Sequence, residues 1–244
     1  MKTKSWHRTL GAWCFFPLLY LAIISNTNLL WFVLSFLVYL SIAVTVTVGY
    51  HRLFCHNAFV CSKIWHWIFG LIGTISLNSS PISWSAVHNA HHRYSDTPLD
   101  PYENNFKYFL RIRERTNINA TKNELKMMRN PMHRLFMNHS LSLSLAFGVT
   151  LFIISPTLCL FAYVLPASAY LVTAGLQTIY SHKNGSARNI WYMEFIIPMA
   201  GEWIHKEHHD DVKRYIFNHR PEFFDLGGIL IRMIEHGKQP MPQL

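Results

Sequence analysis

The chain has 244 residues, half of them hydrophobic and only 14% charged, against about 25% charged in soluble domains. So few charges argue for a protein of the membrane. The formal charge of +9 would suit a nucleic-acid binder, but where those charges fall excludes that reading.

At the N-terminus, Lys2, Lys4 and Arg8 precede an apolar run, as in a signal peptide. Residues 24–28 (Ile-Ser-Asn-Thr-Asn) make a poor cleavage site and a longer apolar run follows, so a retained membrane segment is expected. From Thr9 to Tyr50, 42 residues, no Asp, Glu, Lys or Arg occurs. As one helix this stretch would measure about 63 Å, roughly twice the hydrocarbon thickness. It must fold back as a hairpin, with its break at Asn26-Thr27-Asn28 and Leu29–Tyr50 as the second span.

Residues 64–92 are also uncharged, but Asn78-Ser79-Ser80-Pro81 interrupts them. They are expected to form a helix at the membrane interface followed by a turn. Pro98, Pro101 and Asn104-Asn105 mark a loop beyond. Ser140 to Ser181, again 42 residues, carries no charge and predicts a second hairpin, broken between Pro156 and Pro166. The remainder is expected to be mostly helical, with Gly227-Gly228 as an interruption. All 22 Lys and Arg lie outside the two uncharged stretches: 3 before Thr9, 11 between residues 51 and 139, 8 after residue 182. Two hairpins return the chain to one side each time, and the positive-inside rule makes that side cytoplasmic, termini included. Basic loops beside an anionic leaflet account for the charge without nucleic acid.

The expected architecture is therefore a single all-α membrane domain, residues 1–244. Four transmembrane helices form two hairpins (about 9–50 and 140–181) under a cytosolic helical cap (51–139 and 182–244). The four cysteines, Cys14, Cys55, Cys61 and Cys159, form no C-x-x-C pair and read as packing residues.

Fifteen histidines are the other anomaly. Three clusters stand out: His51-Arg-Leu-Phe-Cys-His56, His88-Asn-Ala-His91-His92 and His205-Lys-Glu-His208-His209. In H-x-x-H-H the three imidazoles share one helical face, and neutral imidazole is a common ligand for iron, zinc or copper. Three from each of two helices exceed what one ion needs, so a dimetal site is expected. A spacing of five places His51 and His56 about 140° apart on an α-helix, so His56 must lie beyond the helix end where the chain turns back. His51 follows the first uncharged stretch and His182 the second, which places both at the same membrane depth. The candidate ligands are His51, His56, His88, His91, His92, His182, His205, His208 and His209. The lone His66, His133, His139, His219 and His236 read as ordinary surface or core residues. The zinc-protease pattern H-E-x-x-H is absent, and so is the paired E-x-x-H pattern of soluble di-iron bundles, since E-x-x-H occurs once, at Glu202–His205.

Over residues 49–233 the chain resembles the integral-membrane fatty acid desaturases, in particular the acyl-CoA Δ9 branch. His51-Arg52-Leu53 through His56 resembles that branch's H-R-L-x-x-H box. HNAHHRYSDTPLD (88–100) with Pro101 resembles its second box. Gly201-Glu202 ahead of 205–209 resembles its third, and Arg188-Asn189-Ile190-Trp191 the stretch upstream of that box. The resemblance implies two iron ions held by the histidines, with zinc possible in a purified form. It also implies a fatty acyl substrate, bound to coenzyme A or to a lipid, and an external electron donor such as cytochrome b5 or ferredoxin. The basic cap would suit an acidic donor. The bacterial inner membrane or the endoplasmic reticulum would house it. Asp100 and Glu202 are expected to orient ligand imidazoles. Thr178 stands where the family's N-x-x-x-H pattern, ending here at His182, has asparagine. Trp203 replaces a glycine of the third box, Lys206 a common asparagine, and Asp210-Asp211 small or aromatic residues. Ala86-Val87 replaces an Arg-Asp pair tied to the coenzyme A head group, which weakens the coenzyme A reading and adds a glycerolipid- or carrier-bound chain as an option. The expected activity is oxygen-dependent desaturation, with no catalytic side chain beyond the metal centre. A membrane hydroxylase or ketolase sharing the metals is the alternative, and a non-redox zinc protein the more distant one.

Overall fold

The computed structural model describes residues 6–25, 28–102, 118–217 and 225–235. Helix α1 (Trp6–Trp13) runs into α2 (Phe15–Ile24). Cys14 keeps the ladder intact between them, donating to Leu10 and accepting from Leu18. Asn28, whose side chain accepts from the Leu30 amide at 3.1 Å, caps the next helix. The rest of the expected break, Asn26-Thr27, lies outside the described residues.

Helix α3 (Leu29–Cys55) does not stop at Tyr50, where its apolar stretch ends. Its last part, Thr45–Cys55, is wound in the wider π spacing and is buried throughout. Helix α4 (Lys63–Gly73) packs against this wide segment. The contact is close because Gly49 and Gly73 carry no side chain. A Cβ on Gly49 would stand 2.3 Å from Phe69 Cβ, and one on Gly73 2.4 Å from the Tyr50 ring. A turn over 74–80 with positive φ at Leu77 and Ser79 then leads to α5 (Pro81–Tyr94), capped by Ser80. The Tyr50 hydroxyl sits beneath that turn, 2.9 Å from Thr74 Oγ1 and 3.0 Å from the Ser79 carbonyl. The uncharged third stretch is thus a helix, a turn at Asn78-Ser79-Ser80, and a second helix.

Helix α6 (Lys122–Arg129) opens on a capping box between Thr121 and Glu124. Helix α7 (Pro131–Ile154) starts nine residues before the uncharged stretch, because its first turns carry His133 and Arg134. Ser155, extended, separates it from α8 (Pro156–Ser181). The second break therefore falls just before the expected interval, and Pro156 to Pro166 lies inside the helical stretch. Helices α3, α7 and α8 are each long and apolar enough to cross a membrane, and Arg8–Ile24 is a shorter apolar helix.

Among the described residues after α8, less is helical than expected: a 3₁₀ turn (Trp191–Phe195), α9 (His205–Asp210) and α10 (Leu226–Ile234). Gly227-Gly228 does not interrupt structure; it forms the first turn of α10. Asp225 accepts from the Gly228 amide at 2.9 Å, and a Cβ on Gly227 would meet Thr47 Cγ2 at 2.8 Å. Helix α8 packs on α3 and on α1, so the wide end of α3 stands between α4, α5 and α10. Among the described residues no strand forms; isolated bridges join Asn189 to Ile204 and Cys61 to Glu235.

Candidate metal centre

The wide winding of α3 resolves the spacing of its two histidines. The His56 amide donates to the His51 carbonyl at 3.1 Å, a bond spanning five residues. Bonding of that reach stacks residues five apart on one side, and the two rings lie 5.0 Å centre to centre. His56 does end the helix, and Asn57 follows with φ 48°. The wider turn brings the rings together before the chain bends away.

The second and third boxes lie on α5 and α9. The short α9 is held in place from outside: the Ile190 amide donates to the Trp203 carbonyl at 2.7 Å, and the Lys206 amide to Asn189 Oδ1 at 2.8 Å. Ahead of it, Glu194 gathers a loop by accepting from the amides of Met199, Gly201 and Trp203 at 2.7, 2.9 and 3.3 Å. Trp203 is buried and donates its indole N–H to the Ile197 carbonyl at 2.7 Å.

All nine candidate ligands converge, and they sort into two groups: His51, His56, His88, His92 and His208, and His91, His182, His205 and His209. Each H-x-x-H-H box is split across the pair. The i and i+4 members of α5 (His88, His92) join the first group and its i+3 member (His91) the second. On α9 the assignment is reversed, with His205 and His209 in the second group and His208 in the first. The groups adjoin, with the His92 and His209 rings 4.3 Å apart.

The donor set fits metal ions. In the first group Nε2 of His208 lies 2.8 Å from those of both His51 and His92, and His88 Nε2 is 3.0 Å from His92 Nε2. In the second, His205 Nε2 is 2.8 Å from His182 Nε2 and 3.1 Å from His209 Nε2. Nitrogens at right angles around an ion, each about 2.1 Å from it, stand about 3.0 Å apart. Imidazole–imidazole hydrogen bonds cannot account for the pattern, because a neutral ring has one N–H. His51 Nδ1 faces Glu202 at 2.9 Å, His91 Nδ1 faces Asp100 at 2.9 Å, and His182 Nδ1 faces Asp96 at 3.1 Å. A ring that donates to a carboxylate presents a bare lone pair at Nε2, and several lone pairs pointing at one another require a cation. Among the described residues, the buried Nε2 atoms of His56 and His91 have no hydrogen-bond partner.

The electrostatics agree. Burial first, then neighbouring imidazoles, holds His88, His205 and His208 well below the ordinary histidine value. His92, His209 and His182 are lowered for the same reasons, and burial with the nearby Lys213 pushes His56 to about 3. Burial thus favours the neutral, metal-binding form of these seven imidazoles. Burial raises Glu202 to about 8, opposed by Arg52; cations beside it would restore the carboxylate.

Of the remaining expected residues, Thr178 lines a cavity of about 50 Å³ beside the histidines, and its hydroxyl donates to the Ala174 carbonyl at 3.0 Å. His133 and His66 pack against Phe54, away from the site. His139 sits at a kink in α7, while His219 and His236 lie outside the described residues. Two site residues were not expected. Asp96 stood unassigned inside the second box although it is as acidic as Asp100. Gln177, whose amide faces His205 Nδ1 at 3.1 Å and donates to the Glu202 carbonyl at 2.8 Å, was detectable as a polar residue in an apolar span. Arg52 of the first box joins neither histidine group. It makes a bidentate pair with Asp225 at 2.8 and 3.0 Å, both side chains 1% exposed, and lies over the Phe217 ring.

No family model matches the chain. Among curated proteins it is 38% identical over 60 residues to the sn-1 stearoyl-lipid 9-desaturase of Anabaena variabilis, covering 25% of this chain and 22% of that one. It is 42% identical over 60 residues to the hex-5-enoyl-[acyl-carrier protein] acetylenase of Moorena producens, covering 25% and 19%. The Delta(9)-fatty-acid desaturase fat-5 of Caenorhabditis elegans aligns over 213 residues at 25% identity, covering 76% of this chain and 63% of that one. The matched stretch thus spans less than two thirds of each relative's own length. Helices fit to cross a membrane, paired histidine groups and these relatives agree in making the chain similar to the fatty acid desaturases.

Proposed function

We propose that the protein is an oxygen-dependent fatty acyl desaturase with a di-iron centre. The observation that carries this is the pair of adjoining histidine groups with their nitrogens at metal-edge distances. When bound, iron would supply the activation of oxygen that this chemistry needs. One CH2–CH2 unit of the chain would become CH=CH while O2, two electrons and two protons become two water molecules. The electrons come from a separate donor, cytochrome b5 or ferredoxin in kind, docking on the basic cap. Four His from one group and five from the other would hold the ions, with Glu202, Asp100 and Asp96 fixing ring orientation.

The chain's own residues would position the substrate. The cavity has His51, His88, His91 and His205 on one side and Val46, Tyr170, Ala174 and Met199 among its other walls. A saturated chain carries no polar handle, so apolar walls and shape must hold it against the imidazoles. In the bilayer, Arg8–Ile24 would span about 25 Å, within the range of a short crossing helix. It would complete two hairpins with α3, α7 and α8, leaving the histidines and the basic segments in the cytoplasm.

The test is expression in a host of simple lipid composition beside a His91→Ala control, with mass spectrometry of total fatty acids. Desaturation yields an acyl species lighter by the mass of two hydrogens, absent from the control and from anaerobic cells. A species heavier by one oxygen would instead establish a hydroxylase. Zinc in place of iron in freshly isolated protein, with neither product, would overturn the redox reading.

A further inference from the structure

The cavity beside the histidines holds a residue that an acyl chamber does not need: Arg8, on α1. Helix α1 is seated firmly there. Gly11 and Ala12 are buried on the face that also carries Arg8, one turn away, and a Cβ on Gly11 would stand 2.7 Å from Leu171 Cδ1 of α8. Among the described residues lining the cavity, Arg8 is the only permanently cationic side chain, and Glu202, the only carboxylate, faces His51. Among the described residues the Arg8 guanidinium has no hydrogen-bond or ion-pair partner. The stretch ahead of the second box offers no competing charge, because Ala86 is buried against Ala90 and Ile118.

A half-buried guanidinium loses hydration that only an anion or several acceptors replace. Its planar fork of donors matches carboxylate and phosphate oxygens better than it matches a neutral ester. We propose that Arg8 recognises an anionic oxygen, carboxylate or phosphate, at the polar end of a single acyl chain whose methylenes lie against the histidines. This rests on reading the cavity as the acyl chamber. It makes the substrate class a free fatty acid or an acyl phosphate ester rather than a neutral acyl ester, and it makes α1 part of the binding site.

The test is equilibrium binding of radiolabelled stearate, 1-stearoyl lysophosphatidate and uncharged methyl stearate to the full-length protein in an uncharged detergent. Wild type should bind at least one anionic probe about tenfold or more tightly than methyl stearate. Which probe wins identifies the source of the anionic oxygen. Arg8→Gln should abolish the preference while leaving methyl stearate binding unchanged, and Arg8→Lys should keep part of it. A wild type without preference, or an Arg8→Gln protein that retains it, overturns the proposal and leaves Arg8 reaching for lipid head groups. The outcome is separable from the desaturase reading. Arg8-dependent selectivity without an unsaturated product would sustain the anion site alone, and an unsaturated product without that selectivity would sustain the activity alone.

Discussion

Each carboxylate at the centre is tied to one histidine group, so single substitutions would separate the two ions of the proposed centre. Glu202 faces His51 of the five-histidine group, and Asp100 faces His91 of the four-histidine group. Losing such a partner frees the ring to rotate and typically lowers metal affinity 10–100-fold. Glu202→Gln should therefore weaken one ion and Asp100→Asn the other. Titration with a chelator should show one ion leaving each variant early while wild type releases both late. Loss of both ions together from either variant would show that the groups do not act independently. Arg52 and Asp225 pose a different problem, since both are buried and paired. Asp225→Ala would strand the guanidinium and remove the acceptor for the Phe217 and Gly228 amides. A loss of about 3–5 kcal/mol is expected, visible as a large fall in thermal midpoint. The H-R-L motif announced Arg52 in the sequence, but its partner lies 173 positions away and nothing local points to it.

At the scale of the element, the decisive feature is the widened end of α3. α-Helical winding would have left His56 facing away from His51, and the π spacing places both on the site. That winding is supported by close packing on α4 through Gly49 and Gly73. Gly49→Ala drives a methyl into the Phe69 side chain, with an expected cost of about 1–3 kcal/mol from overpacking. Because His51 lies two residues on, metal content should fall along with thermal stability. Full metal retention in Gly49→Ala would mean that α4 yields and the widened turns hold by themselves. The Glu194 clamp plays the same part for the loop before α9. It gives three backbone amides a buried acceptor where Ala200 and Gly201 take positive φ.

For the molecule as a whole, burying so many titratable groups in one place sets a pH dependence. His56, His88, His92, His182, His205, His208 and His209 are all lowered in the fold from the ordinary 6.5. Below pH 6.5 the unfolded chain takes up protons that the fold refuses, so metal-free stability falls as pH falls, by up to about 1.4 kcal/mol per pH unit per residue. Glu194 and Glu202 act in the opposite sense. Their values rise from 4.5 to about 7 and about 8, so the fold retains protons that the unfolded chain has released, and stability declines as pH climbs through that interval. The histidines outnumber the two acids on the acid side, which puts the metal-free optimum near pH 6.5. Metal ions stabilise neutral imidazole and ionised Glu202 together, so the loaded protein should lose most of the alkaline decline. Thermal midpoints between pH 5 and 8, with and without iron, check both slopes; a metal-free protein equally stable at pH 5 and 6.5 would contradict the account.

The long apolar helices, the basic segments between them and the nine convergent histidines were legible in the chain itself. Hydrophobic runs and charge exclusion are properties of composition, and H-x-x-H-H places its members on one face by local geometry alone. The boundaries were less legible. Helix α3 carries its histidine end past the apolar stretch because Thr45–Cys55 packs inside the protein, whereas α7 begins early with His133 buried and Arg134 exposed. The division of each histidine box between two groups, the pairing of Asp96 with His182, and the approach of Gln177, Arg8 and Asp225 belong to tertiary structure only. Each joins elements that are far apart in sequence, and such contacts are fixed by how helices pack around one another, which no local pattern of residues encodes.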